Sequence, residues 1–105
     1  MNVCTFTGFV VDRPELSVED GASGVELTIV SYTYRRSKAT GEKTRIPTYI
    51  NLEAWASGAE TIEKLVDKGT KITVYCSARN VSQEDCSIVF RINEFDICQP
   101  DCQQE

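Results

Sequence analysis

Apolar and polar residues alternate with a period of two along most of this chain, the pattern of strands that bury one face. From Val3 to Val11, one parity holds Val3, Thr5, Thr7, Phe9 and Val11, and the other holds Cys4, Phe6 and Val10. This first strand is apolar on both faces. Gly8 at its middle predicts a bend, a bulge or a close backbone approach. Arg13-Pro14 ends the run, because proline donates no ladder hydrogen bond. Ser17 to Gly24 is acidic and rich in turn formers, and it reads as a loop. A second strand runs from Val25 to about Arg35, with Val25, Leu27 and Ile29 on one face and Glu26 and Thr28 opposite. Farther along, Tyr32 and Tyr34 share a face. Ser37 to Lys43 contains Gly41 and makes a hairpin tip. The third strand, Ile46 to Ala56, places Tyr49, Asn51, Glu53 and Trp55 on one parity, and Ile50, Leu52 and Ala54 on a core-like other.

The period changes once. Ser57 and Glu60 have capping-box spacing, and Ala59, Ile62, Leu65 and Val66 then recur at helical intervals. Lys68-Gly69 supplies a cation and a left-handed stop. A fourth strand spans Lys71 to about Ala78. The turn Ser82 to Asp85 leads to a fifth from Cys86 to Ile97, with Ile88, Phe90 and Ile92 on one parity and Val89, Arg91, Asn93 and Phe95 on the other. Three strands, one helix and two strands is the element order of an OB-fold: a mainly all-β, five-stranded Greek-key barrel with the helix between strands three and four. A ferredoxin-like domain needs a second helix, and an SH3-like barrel lacks this one.

The chain has 105 residues, 41% apolar and 26% charged, which suits one globular domain and argues against disorder. No apolar run reaches the roughly 18 residues that span a bilayer, and the N-terminus carries no signal-like segment. No membrane association is expected, and a cytoplasmic setting is. With 0 histidines, a Ser–His–Asp or Cys–His hydrolase and any imidazole-ligated metal are excluded. The 5 cysteines are Cys4, Cys76, Cys86, Cys98 and Cys102, without the paired C-x-x-C of a zinc site. They are expected to be mostly free thiols, Cys4 and Cys76 serving as small buried hydrophobes. Neither a metal nor a cofactor is expected.

The net charge of −5 speaks against a polyanionic partner until its distribution is read. Arg35, Arg36, Lys38, Lys43 and Arg45 face Glu42 alone between positions 35 and 45, and the rest of the chain holds 6 bases and 15 acids. A basic segment on an acidic body steers a polyanion to one face. A solvated hairpin loop would carry the same charges.

Several segments resemble the bacterial-type single-stranded DNA-binding protein family, over Met1 to Ile97. "MNVCTFTGFVVDRPEL" is similar to the family's first strand. "GVELTIVSYTYRRSKATGEKTR" resembles its second strand and basic hairpin. "YINLEAWASGAETIEKLVDKGTKITVYCSAR" resembles its third strand, helix and fourth strand, and "VFRINEFDI" its closing strand. The resemblance implies an OB-fold single-stranded DNA-binding domain over 1–98 and a short polar tail over 99–105. It implies a non-enzymatic coat for strands in replication, recombination or repair, with replication or repair proteins as further partners. Bases would stack on Tyr49 and Trp55, which stand at family aromatic positions. A third such position falls on Arg35, with Tyr34 adjacent as the substitute ring. A fourth, on the hairpin between strands four and five, has no counterpart. Phosphates would meet Arg35, Arg36, Lys38, Lys43 and Arg45, with Arg79 and Arg91 as further candidates.

Family members form homotetramers built from dimers that pair through the first strand. Ile50 stands where the family often has a histidine that supports the tetramer, so a dimer is the alternative. The family's acidic C-terminal tip ending in phenylalanine has no match in "QPDCQQE". Either the tip was never present or the sequence is cut short of it; a compact form without a long tail would suit a phage- or plasmid-encoded member, acting in a bacterial nucleoid or a phage-infected host cell. Two other readings stand beside this one. Tyr and Trp on strands also serve as packing. The net charge of −5, the missing fourth ring and the arginine at an aromatic position favour the alternative, an OB-fold protein-interaction module, a replisome or primosome accessory with weak DNA binding.

Overall fold

The structure, a computed structural model, describes residues 1–98. The tail over 99–105, with Cys102, lies outside the described residues. The elements are β1 (Cys4–Val10), β2 (Glu15–Glu19), β3 (Ala22–Arg36), β4 (Lys43–Trp55), α1 (Ala56–Leu65), β5 (Lys71–Asn80) and β6 (Ile88–Ile97). Antiparallel ladders join β1 to β5, β5 to β6, and β3 to β4. A short parallel ladder, Leu52–Phe90 and Glu53–Arg91, joins β4 to β6. Phe9–Val30 and Val10–Ile29 join β1 to β3 and close the ring. Five strands, β1, β3, β4, β5 and β6, thus form a closed barrel with α1 between its third and fourth strands, the OB-fold the pattern implied.

β1 can turn from β5 to β3 because of Gly8. A Cβ there would lie 2.5 Å from the Val30 carbonyl oxygen, so the two backbones approach as only glycine permits. The inward parities fill one core: Val25, Leu27 and Ile29 from β3; Ile50, Leu52 and Ala54 from β4; and Ile72, Val74 and Cys76 from β5. Cys4 and Phe6 pack against it, and Phe6 meets Phe90 edge-on with ring centroids 5.1 Å apart. On β6 the register slips between Tyr75 and Cys76, whose partners are Glu94 and Ile92. Asn93 is left over as a bulge. That slip corrects the simple alternation expected of this strand, since it lets Phe95 and Ile97 join Phe90 and Ile92 against the core.

Two local expectations fail. The stretch read as a loop, Ser17 to Gly24, contains most of the hairpin of β2 with β3, paired from Glu15–Glu26 to Glu19–Ala22. Its turn is Asp20-Gly21, both at positive φ (51° and 78°), the geometry of a type I′ turn. The Asp-Gly dipeptide was the available signal, masked by the surrounding acids. The Ser57–Glu60 capping box does not form either. The helix begins from extended Trp55 with no side-chain cap, and Glu60 instead accepts a hydrogen bond from the Ser23 hydroxyl. The helix ends at Leu65, before Lys68-Gly69. Gly69 (φ 88°) belongs to the following turn, and its N–H donates to the Val10 carbonyl. Ala59, Ile62 and Val66 are buried, whereas Leu65 is exposed.

Candidate nucleic-acid interface

The β3–β4 ladder fixes which residues share a face, since directly paired residues point to the same side. On the side away from the core the rungs are Gly24–Trp55, Glu26–Glu53, Thr28–Asn51, Val30–Tyr49, Tyr32–Pro47, Tyr34–Arg45 and Arg36–Lys43. The three candidate stacking residues, Tyr34, Tyr49 and Trp55, therefore stand on one face. Tyr49 is 63% exposed, Tyr34 59% and Trp55 37%. Six residues on one strand separate Tyr49 from Trp55 by about 20 Å, which leaves room for several nucleotides.

Each ring has a different setting. Trp55 leans on β3 at Gly24, where a Cβ would fall 2.8 Å from its Cζ3. Part of the ring is thus packed against β3 and part is open to solvent. Tyr49 borders an apolar groove with Phe6, Ile88 and Phe90. Tyr34 carries the Lys43 ammonium 4.4 Å from its ring centroid, and Tyr32 carries the Arg45 guanidinium at 4.2 Å. These are cation–π contacts between diagonal neighbours on the ladder. They hold Lys43 and Arg45 on the ring face. Tyr32, assigned no site role from sequence, is the residue this arrangement adds. Its signal was its shared parity with Tyr34.

The other bases divide. Arg36 is on the ring face and donates to the Gly41 carbonyl at 2.9 Å, bracing the hairpin tip. That tip closes through Ser37 N–H to Glu42 O and Gly41 N–H to Ser37 O. Lys38 is exposed on the turn. Arg35 pairs with Thr44 and so lies on the opposite parity from Tyr34. The guanidinium at the family's ring position is thus not beside Tyr49, and Tyr34 supplies the ring on that side. Arg79 and Arg91 line a concavity beside Trp55, together with Glu26, Glu53 and Val89. Arg91 is already engaged, its Nε 3.0 Å from Glu53 Oε2. Arg79 has no ion-pair partner among the described residues.

The face carries exposed rings, cations and a polar middle. Elsewhere, burial pushes the Cys76 thiol up to about 11, with Cys4 adding to the shift. The Asp96 carboxylate raises the Tyr75 phenol, which donates to it at 3.3 Å. Among the described residues, no group of three or more Cys, Asp or Glu is placed to hold a metal ion.

A closed OB barrel with an open aromatic and basic face defines a class of oligomer-binding folds. Residues 1–94 match the single-strand binding protein family, and the chain belongs to that family. No curated protein is similar enough in sequence to count as a relative. Among solved structures, the wild-type single-stranded DNA binding protein from Thermus aquaticus superposes with a TM-score of 0.79 at 18% identity, over 97% of this chain and 52% of that one. The Plasmodium falciparum SSB in complex with ssDNA gives 0.71 at 17% identity, over 92% of each chain. At these identities the likeness is one of fold. The chain spans about half the length of the Thermus protein.

Proposed function

We propose that this protein binds single-stranded DNA without strong sequence preference and coats exposed strands during replication, recombination or repair, with no catalytic role. The observation that carries the reading is the β3–β4 register, which puts Tyr34, Tyr49 and Trp55 on one face with Lys43 and Arg45. Every base has a π-face, so stacking on these rings is sequence-tolerant and contributes about 1–3 kcal/mol per base. Lys43, Arg45, Lys38 and Arg36 neutralise phosphates at the hairpin end, and Arg79 does so near Trp55, releasing counterions as the strand docks. Arg35 acts from the hairpin's other side.

The protein works as a homo-oligomer in the cytoplasm, a tetramer or, with Ile50 at the position discussed above, a dimer. Along β1 only Phe9 and Val10 pair with β3, so the edge over Cys4–Gly8 has no strand beside it on that side among the described residues. A second copy could extend the sheet there, and several barrels on one strand would multiply modest single-site contacts.

The test is a titration of Trp55 fluorescence with oligo-dT at low salt and at about 0.3 M salt. Chain length 105 includes 1 tryptophan, so the signal has one origin. Strong quenching that weakens with salt supports the reading. No quenching, with no binding by a label-free method, overturns it in favour of a protein-interaction module.

A further inference from the structure

Between the two rings of β4 the rungs of the β3–β4 ladder carry no base. The rungs there are Glu26–Glu53 and Thr28–Asn51. The first puts two carboxylates directly opposite each other, an arrangement that destabilises a sheet. They differ in their surroundings. Glu53 is held by Arg91 at 3.0 Å. Glu26 is exposed and has no ion-pair or side-chain hydrogen-bond partner among the described residues. On the next rung the Thr28 hydroxyl donates to Asn51 Oδ1 at 2.7 Å, which leaves the Asn51 amide hydrogens free to donate.

A strand stacked on Tyr49 and Trp55 must cross these rungs. Glu26 itself repels a phosphate, and unpaired Arg79 in the same concavity is free to hold one at the rim, so the crossing nucleotides turn their base edges inward over Glu26. A carboxylate accepts hydrogen bonds and cannot donate them. It is matched by an exocyclic amino group, as on cytosine N4 or adenine N6. It is opposed by the O4 carbonyl that thymine and uracil present at the same place. We propose that Glu26 reads the edges of the bases crossing between Tyr49 and Trp55, and favours amino-bearing bases over thymine or uracil. This rests on the binding face assigned above and adds a modest selectivity to otherwise sequence-tolerant stacking.

The test compares oligo-dC with oligo-dU, about ten nucleotides long to suit one barrel. The two differ at the edge that Glu26 faces and in neither case carry a methyl group. Binding is read by Trp55 quenching and by a label-free method. The wild type should prefer dC by about fivefold, less than a buried bidentate pair would give. Glu26→Gln, and as a second variant Glu26→Thr, should bring the ratio near one while raising affinity for dU. Circular dichroism checks that both variants fold. Equal binding of dC and dU by the wild type overturns the inference and leaves DNA binding standing. So does a ratio that survives both substitutions, or a rise in both affinities by one common factor, which would make Glu26 a repulsive charge only. Failure to bind either oligonucleotide overturns the binding face itself.

Discussion

Trp55 rests against Gly24 so closely that a Cβ on that glycine would lie 2.8 Å from the ring's Cζ3. The two are direct partners on the β3–β4 ladder. The missing side chain is what lets the indole lie over the β3 backbone while part of it faces solvent. Gly24→Ala should therefore displace the ring. Overpacking of this kind costs about 1–3 kcal/mol when the neighbour cannot yield; a half-exposed indole can, so the expected loss is at the lower end. A lowered urea midpoint, shifted Trp55 emission and weaker quenching by oligo-dT would report it. An unchanged emission spectrum would show that the ring is not seated there.

Tyr49 and Trp55 should respond differently to truncation. Tyr49 projects from the sheet, so Tyr49→Ala should weaken oligo-dT binding by about 1–3 kcal/mol and leave the unfolding midpoint nearly unchanged. Trp55→Ala should weaken binding similarly and also lower stability, since the ring covers Gly24. The tryptophan signal is lost with Trp55, so this pair is measured by calorimetry alongside urea unfolding. A Tyr49 variant that unfolds would assign that ring to the core.

The fold was legible where burial enforces a strict period. Ile50, Leu52 and Ala54, and likewise Val25, Leu27 and Ile29, alternate because each has one side in the core. β2 was not legible, because all five of its residues are exposed and no burial constraint marks one face. The helix start misled because Ser57 and Glu60 have the right spacing, yet tertiary geometry sends the chain into the helix through a left-handed Ala56. At the site, parity alone grouped Tyr49 with Trp55. Whether Tyr34 or Arg35 joins them depends on cross-strand register, which one strand's sequence does not contain. The Lys43–Tyr34 and Arg45–Tyr32 contacts are diagonal across that same register. The Glu53–Arg91 pair depends on barrel closure between β4 and β6, a long-range event with no local mark.

That pair leads to a prediction about salt. Arg91 is bound to Glu53 before any ligand arrives, so a phosphate must displace a carboxylate to use it. Glu53→Gln should release Arg91 and raise oligo-dT affinity at low salt. It should also steepen the dependence of log K on log salt concentration by about one, as expected for one added phosphate contact. Titrations at three salt concentrations read the slope. An unchanged slope would place Arg91 off the path of the strand.

Ala56 joins β4 to α1 with φ at +60°, a conformation that places Cβ against the following carbonyl. Ala56→Gly removes that clash, offset in part by the greater freedom of glycine in the unfolded chain. The net expectation is stabilisation of about 0.5 kcal/mol, read as a raised urea midpoint at constant slope. DNA binding should be unaffected or slightly weakened, because the adjacent Trp55 would be less firmly oriented.

Cys76 is 1% exposed on β5, directly opposite Cys4 on β1. Burial first, and the neighbouring thiol second, push its ionisation up to about 11 from about 9. The folded state thus holds the neutral thiol at a pH where the unfolded chain would ionise it. Its contribution to stability is complete below about pH 9 and is lost as the pH rises through about 11. Tyr75, whose phenol is raised by Asp96, adds a loss of the same sign at alkaline pH. Comparison with a Cys76→Val variant separates the two: the wild type should lose more stability over this window than the variant, and the residual slope belongs to Tyr75 and other groups. The same burial makes Cys76 unreactive toward an aromatic disulfide reagent at neutral pH, while exposed Cys86 reacts at once. Cys76 should become labelled only at the rate of barrel opening, so urea should accelerate its reaction and leave that of Cys86 nearly unchanged. Rapid labelling of Cys76 in the native protein would mean that β1 separates readily from β5.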